Sequence, residues 1–391
     1  MPELYVMSPL EIAWGYLVGH VDAEMPGGSL TEIKSSREML EGVIRRALLR
    51  QPCGVAFSGG RDSSLVLAVA THVARRDGLA EPVPITRLFP GVAEADEQEW
   101  QEAVVRHLGL RDWERLVLDD ELDVVGPRAQ THLLAHGVVW PPSITSDLPM
   151  IDAVPGGSMM DGEGGDEVLG VRAHRIASLT RLARSPRPFR ISRFRSALGT
   201  VAPAAVRGRH HRRKLNEHPF TWLRPRAWDA LLSELERLER DQPISFASSV
   251  RMVPRRRAQV IAARNVSLFA ARRDVEFSSP LLDPGFVAAL AREGGLFGPV
   301  DRTTALRALA SDLLPDAVLA RTSKATFTRC YMAQHTRAFA SSWTGKGLDT
   351  DLVDTDELRR VWISESPAAQ TSALLQAAWI AHQTESESAR L

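Results

Sequence analysis

Everything else in the chain is organised around Cys53-Gly54-Val55-Ala56-Phe57-Ser58-Gly59-Gly60-Arg61-Asp62-Ser63-Ser64-Leu65-Val66-Leu67-Ala68-Val69-Ala70-Thr71-His72-Val73-Ala74. An apolar run, Cys53 to Phe57, stops at Ser58-Gly59-Gly60, and a helix-compatible apolar stretch runs from Ser63 to Ala74. The order is strand, glycine loop, helix. Two glycines let backbone N–H groups close around an anion, and the hydroxyls of Ser58 and Ser63 add donors. The next helix N-terminus presents its positive dipole end, so the loop has the chemistry of a phosphate cradle. Asp62 would repel a naked phosphate; a carboxylate there makes sense as a ligand to Mg²⁺, which bridges to the phosphates. Two rival glycine loops fail. The Walker string GxxxxGK followed by Ser or Thr occurs nowhere. A nucleophile elbow needs GxSxG, whereas Ala56 stands two residues before Ser58. Ser-Gly-Gly alone reads equally well as a plain turn; Asp62, Ser63 and the strand–helix context favour phosphate.

On the N-terminal side, Met39, Leu40, Val43, Ile44, Ala47 and Leu48 fall on one stripe and predict an amphipathic helix over Ser36 to Leu49. On the C-terminal side, Pro84 to Leu88 predicts a second strand, Asp96 to Leu108 a helix with acidic residues in its first turn, and Trp113 to Leu118 a third strand. Gly156 to Met160 predicts a further buried strand and runs into a second glycine loop, Asp161-Gly162-Glu163-Gly164-Gly165-Asp166-Glu167. Strands alternating with helices predict an α/β fold with a parallel, doubly wound sheet. Such sheets bind ligands beyond the carboxyl ends of their strands, so both loops can face one cleft. Past Gly170 the pattern turns helical with basic, Pro-interrupted connections. The expected organisation is a lead-in over 1–50 and a domain over 51–391, with its sheet core over 51–170 and a helical, substrate-side part over 171–391.

The first loop resembles the SGGxDS loop of the PP-loop, or N-type, ATP pyrophosphatases. Gly162-Glu163-Gly164-Gly165-Asp166-Glu167 resembles the GEGxDE loop of the asparagine synthetase family. Glu276-Phe277-Ser278-Ser279-Pro280-Leu281-Leu282-Asp283 is similar to its VRxPFLD segment, and Thr304 to Lys324 follows its KxxLR … LPxxI … RxK pattern. The four motifs stand in the family's order from Ser58 to Phe327. The resemblance, shared with β-lactam synthetases and lasso peptide cyclases, implies the PP-loop (HUP-like) fold and an ATP- and Mg²⁺-dependent ligase. Such an enzyme adenylates a carboxylate, releases pyrophosphate and passes the acyl group to ammonia or an amine. It also implies roles: Asp62 and Asp166 for the metal, Lys324 for the charge on the α-phosphate and leaving pyrophosphate, and Glu163 for orienting or deprotonating the amine. The implied nucleotide contacts are Ala56, Ser58, Gly59, Gly60, Asp62, Ser63, Leu88 and Gly162, with Ala56 and Leu88 flanking adenine. Three positions depart from the pattern. Arg61 stands for an apolar residue, Asp161 for Ser or Thr, and Val275-Glu276 for Val-Arg. Arg264 and Arg272 read as surface charges.

Composition bounds the partners. The 391 residues carry 48 basic and 48 acidic side chains, which argues against a chain built as a whole to coat nucleic acid or anionic membrane. The balance hides a basic segment: Val171 to Lys214 holds twelve Arg and one Lys with no acid, leaving −13 on the remainder. It reads first as helices with solvated basic faces and second as a platform for an acidic peptide or carrier. Two distant cysteines, Cys53 and Cys330, form no disulfide framework or zinc motif, and no apolar run reaches membrane-spanning length; a cytoplasmic location is expected. Glutamine-dependent relatives open on a glutaminase whose catalytic cysteine follows the initiator methionine. Here Pro2 follows Met1 and the first strand starts at Cys53, so a ligase half-site alone is expected. The expected partners are a small-molecule or peptide carboxylate, ammonia or an amine, and a separate glutaminase or carrier protein. The competing reading is an adenylate-binding scaffold that keeps the fold without turnover.

Overall fold

The computed structural model describes residues 3–22, 34–170, 174–176, 179, 201–204, 206–208 and 220–388. Most of the arginine-rich segment, and with it the platform reading, lies outside the described residues.

Five strands among the described residues form one sheet: β1 (Cys53–Ala56), β2 (Val83–Leu88), β3 (Glu114–Val117), β4 (Ser158–Met160) and β5 (Glu276–Ser278). Their order is β3-β2-β1-β4-β5 and every neighbouring pair is parallel. The sequence pattern identifies the first four. The fifth lies inside the region of helical periodicity: it is three residues long, sits at the sheet edge and is only partly covered, so no buried alternation marks it.

Parallel sheets need both faces covered, and alternate residues of each strand serve opposite layers. Val55 and Met160 join one core with helices α2 (Ser36–Leu48) and α3 (Arg61–Asp77). Met159 and Ile85 join the opposite core, against Val266 and Phe269 of helix α6 (Arg257–Ala271). α2 starts where Ser35 and Glu38 form a reciprocal capping box. α3 ends at Gly78, whose φ of 67° is the left-handed conformation that closes a helix. Helices α4 (Gln98–Leu108), α7 (Pro284–Gly294) and α8 (Arg302–Ala310) complete the first layer.

A second, mainly helical body gathers Trp14 of helix α1 (Pro9–Trp14), Trp222, Leu231 of helix α5 (Pro225–Asp241), Trp343, Trp362 and Trp379 of helix α9 (Ser372–Ser388). Within it, a fully buried carboxylate holds the segment that follows β3 in place. Asp123 accepts from the backbone N–H of Ala333 (2.9 Å) and Thr336 (3.0 Å) and from the Thr336 hydroxyl (2.8 Å). No helix among the described residues is long and apolar enough to cross a membrane.

Candidate active site at the divergence of the sheet

From β1 the chain builds β2 and β3 to one side, whereas β4 and β5 are added on the other. The loops leaving β1 and β4 therefore diverge from neighbouring strand ends, where doubly wound sheets open a crevice. A cleft of about 750 Å³ lies there, and both glycine loops line it.

The first loop is held by its own hydroxyls. Ser63 Oγ donates to the Gly60 carbonyl (3.1 Å), accepts from the Ser58 N–H (3.2 Å) and meets Ser58 Oγ at 3.1 Å. Gly60 caps α3 without a side chain, so the helix's first N–H groups are left for a ligand. The second loop is glycine-rich because it packs onto the first. A Cβ on Gly165 would lie 2.2 Å from Asp62 Cγ. Gly164, at φ 87°, leaves no room beside Leu282. Close approach thus sets the two carboxylates, Asp62 and Asp166, beside one another.

A cation joins them. Arg302, the first residue of α8, donates through Nη2 to Asp62 Oδ2 and through Nη1 to Asp166 Oδ1. Lys324 Nζ reaches Asp166 Oδ2 at 2.7 Å. Burial pushes the Asp62 carboxyl up against the pull of Arg302. For Asp166 burial also pushes upward, but the Lys324 hydrogen bond and the Arg302 charge prevail and hold it below the ordinary range. Asp62 Oδ1 is buried with no hydrogen-bond partner, an orphaned carboxylate oxygen of the kind a hard divalent cation takes. Among the described residues no group of three or more His, Cys, Asp or Glu converges to cage a metal. Two carboxylates suit an Mg²⁺ that draws its other ligands from phosphates and water.

Arg321 braces this flank from behind: with Glu97 it makes an almost fully buried ion pair, and its Nη1 donates to the Gly59 carbonyl at 3.0 Å. Arg61 also lines the cleft and, among the described residues, makes no hydrogen bond or ion pair. The other flank is acidic and aromatic. Burial, then the nearby Glu163 charge, pushes Asp161 up to about 8. Glu163 is water-accessible within the cleft, yet it too is raised, by surrounding protein and then by Glu167; Gln259 donates to it at 3.3 Å. Tyr16 meets Trp140 edge-on with ring centroids 5.3 Å apart, and both line the cleft.

Of the residues expected from sequence, Ala56, Ser58, Gly60, Asp62, Ser63, Gly162, Glu163, Asp166 and Lys324 line the one cleft. Gly59 stands behind it, its carbonyl held by Arg321. Leu88 is not among the lining residues: strand parity turns it away, while Arg87 and Phe89 on either side face the cleft. Arg302 and Tyr16 are contributions that sequence reasoning misses. Arg302 stands just ahead of the quoted Thr304 motif, and nothing in sequence marks Tyr16.

Two glycine loops at adjacent parallel strand ends, with paired carboxylates between them, are what the motif order implied. The asparagine synthase family model matches residues 36–384. The chain belongs to the asparagine synthase family. The match is to the synthase domain, and no glutaminase domain is found in the chain. No curated protein matches it. Tyr16 therefore reaches an asparagine synthase-type cleft from outside the matched residues.

Proposed function

We propose that this asparagine synthase-type domain is a carboxylate–amine ligase, forming an amide with conversion of ATP to AMP and pyrophosphate. The observation that carries the reading is the convergence of Asp62, Asp166 and Lys324 in one cleft with the uncapped start of α3. Mg²⁺ held by Asp62 and Asp166 would neutralise charge on the β- and γ-phosphates. The α3 N–H groups and the serines of the first loop orient the triphosphate. A substrate carboxylate oxygen attacks the α-phosphorus, the bond from that phosphorus to the β-bridging oxygen breaks, and pyrophosphate leaves against Lys324. An amine nitrogen then attacks the acyl carbon, the bond to AMP breaks, and the surplus proton passes to Glu163. The raised affinity of Glu163 for protons suits that role.

The acceptor flank differs from that expected of ordinary asparagine formation, because Asp161 adds a second proton-holding carboxyl beside Glu163. The test is pyrophosphate release across candidate carboxylates with and without amines, with Asp62→Ala as control. Substrate-dependent release lost in Asp62→Ala supports the ligase. Equal background from both proteins with every substrate, alongside tight adenylate binding, supports the scaffold reading instead.

A further inference from the structure

One guanidinium spans both carboxylates that the ligase reading gives to Mg²⁺. Arg302 and Lys324 bring two positive charges to the two negative ones and Arg61 adds a third nearby, so the cluster offers no net negative charge to a bare cation. The grip is also incomplete: Arg302 Nε and Asp62 Oδ1 are both buried without a hydrogen-bond partner. Buried polar groups are normally satisfied, so this pairing leaves donor and acceptor capacity for something else.

We propose that Arg302 is a resident cation that holds the place of the metal and gives up the two carboxylates only when a triphosphate arrives to receive it. This rests on the Mg²⁺–ATP reading. A divalent ion entering alone would meet Arg302 and Lys324 in a partly desolvated site and be repelled by both. A triphosphate reverses the balance, since its oxygens accept the guanidinium bidentately while Mg²⁺ takes over Asp62 and Asp166. The helix need not move: Asp301 caps α8 by accepting from the Thr304 N–H at 2.8 Å, and only the long Arg302 side chain has to swing. Metal and nucleotide are then reciprocally coupled, each poorly bound without the other.

The experiment measures Mn²⁺ binding to the full chain by the loss of the free-ion EPR signal, alone and with α,β-methylene-ATP. Wild type, Arg302→Gln, Arg302→Lys and Asp62→Asn are compared, with thermal melts to show that each is folded. Without nucleotide, Arg302→Gln is expected to bind Mn²⁺ about tenfold more tightly than wild type, the scale of one lost charge-assisted interaction. With nucleotide the order reverses, and Arg302→Lys falls between. Removal of a merely structural arginine would weaken Mn²⁺ in both conditions. Nucleotide-free affinity in Arg302→Gln equal to or below wild type overturns the exchange. If Asp62→Asn nevertheless loses nucleotide-dependent Mn²⁺ binding, the metal reading survives that failure; if Asp62→Asn binds like wild type, both fall together.

Discussion

The two flanks of the cleft handle charge in opposite ways. On the cationic flank each carboxylate has a cation on it: Asp62 and Asp166 share Arg302, Asp166 also holds Lys324, and Glu97 is locked to Arg321. On the acidic flank Asp161, Glu163 and Glu167 face one another, and the hydrogen bond to Glu163 comes from a neutral amide, Gln259. Matched charge stabilises a geometry and waits for exchange; unmatched carboxyls raise one another's proton affinity and wait for a proton donor. Under the proposed function, the difference divides the work: activation of the carboxylate on one side and delivery of the amine on the other.

The largest effect is expected from Lys324→Ala, which should lower substrate-dependent pyrophosphate release by about 10²- to 10³-fold, the usual loss for one transition-state charge stabiliser. Melting temperature should hardly change, because the side chain is 78% exposed. Glu163→Gln should leave pyrophosphate exchange intact and slow amide formation by about 10²-fold. If it slows both half-reactions equally, the division between flanks is wrong. Arg61→Leu removes a cation without a partner among the described residues, and should weaken ATP binding about tenfold by calorimetry without loss of stability. The smallest change in turnover is expected from Asp161→Ser, read as a slope. An ordinary aspartate releases its proton near about pH 4, whereas Asp161 keeps it up to about 8. Between those values the folded chain binds a proton that the unfolded chain has lost, so this carboxyl lowers stability as pH rises. Urea midpoints should therefore favour Asp161→Ser over wild type more at pH 8 than at pH 5.

Much of this was legible in the sequence because it is written in local patterns. β1 to β4 are apolar runs ending at glycine loops or at polar turns, and α2 and α3 show helical spacing. Motif order places Asp62, Asp166 and Lys324 together although they are far apart in the chain, and the structure brings the three into one network. β5 was illegible because a three-residue edge strand has no periodicity of its own. Leu88 does not line the cleft because strand parity gives that face to Arg87 and Phe89, and parity cannot be read from an apolar run. Arg302 was missed because a single arginine at a helix start looks like any solvated charge, and its meaning comes only from the two carboxylates it meets.

Sequence separation at the site carries its own consequence. Arg302 meets Asp62 across 240 positions, and Lys324 meets Asp166 across 158. β5 joins β4 with Ser158 opposite Glu276. Chains emerge N-terminus first, so Asp62 and Asp166 are synthesised long before either counter-charge exists. Such distant pairings are slow to form. The cleft is thus among the last parts of the molecule to close, and a ribosome-bound chain halted before Arg302 would already hold the residues of all five strands yet lack both side chains that pair with Asp62 and Asp166.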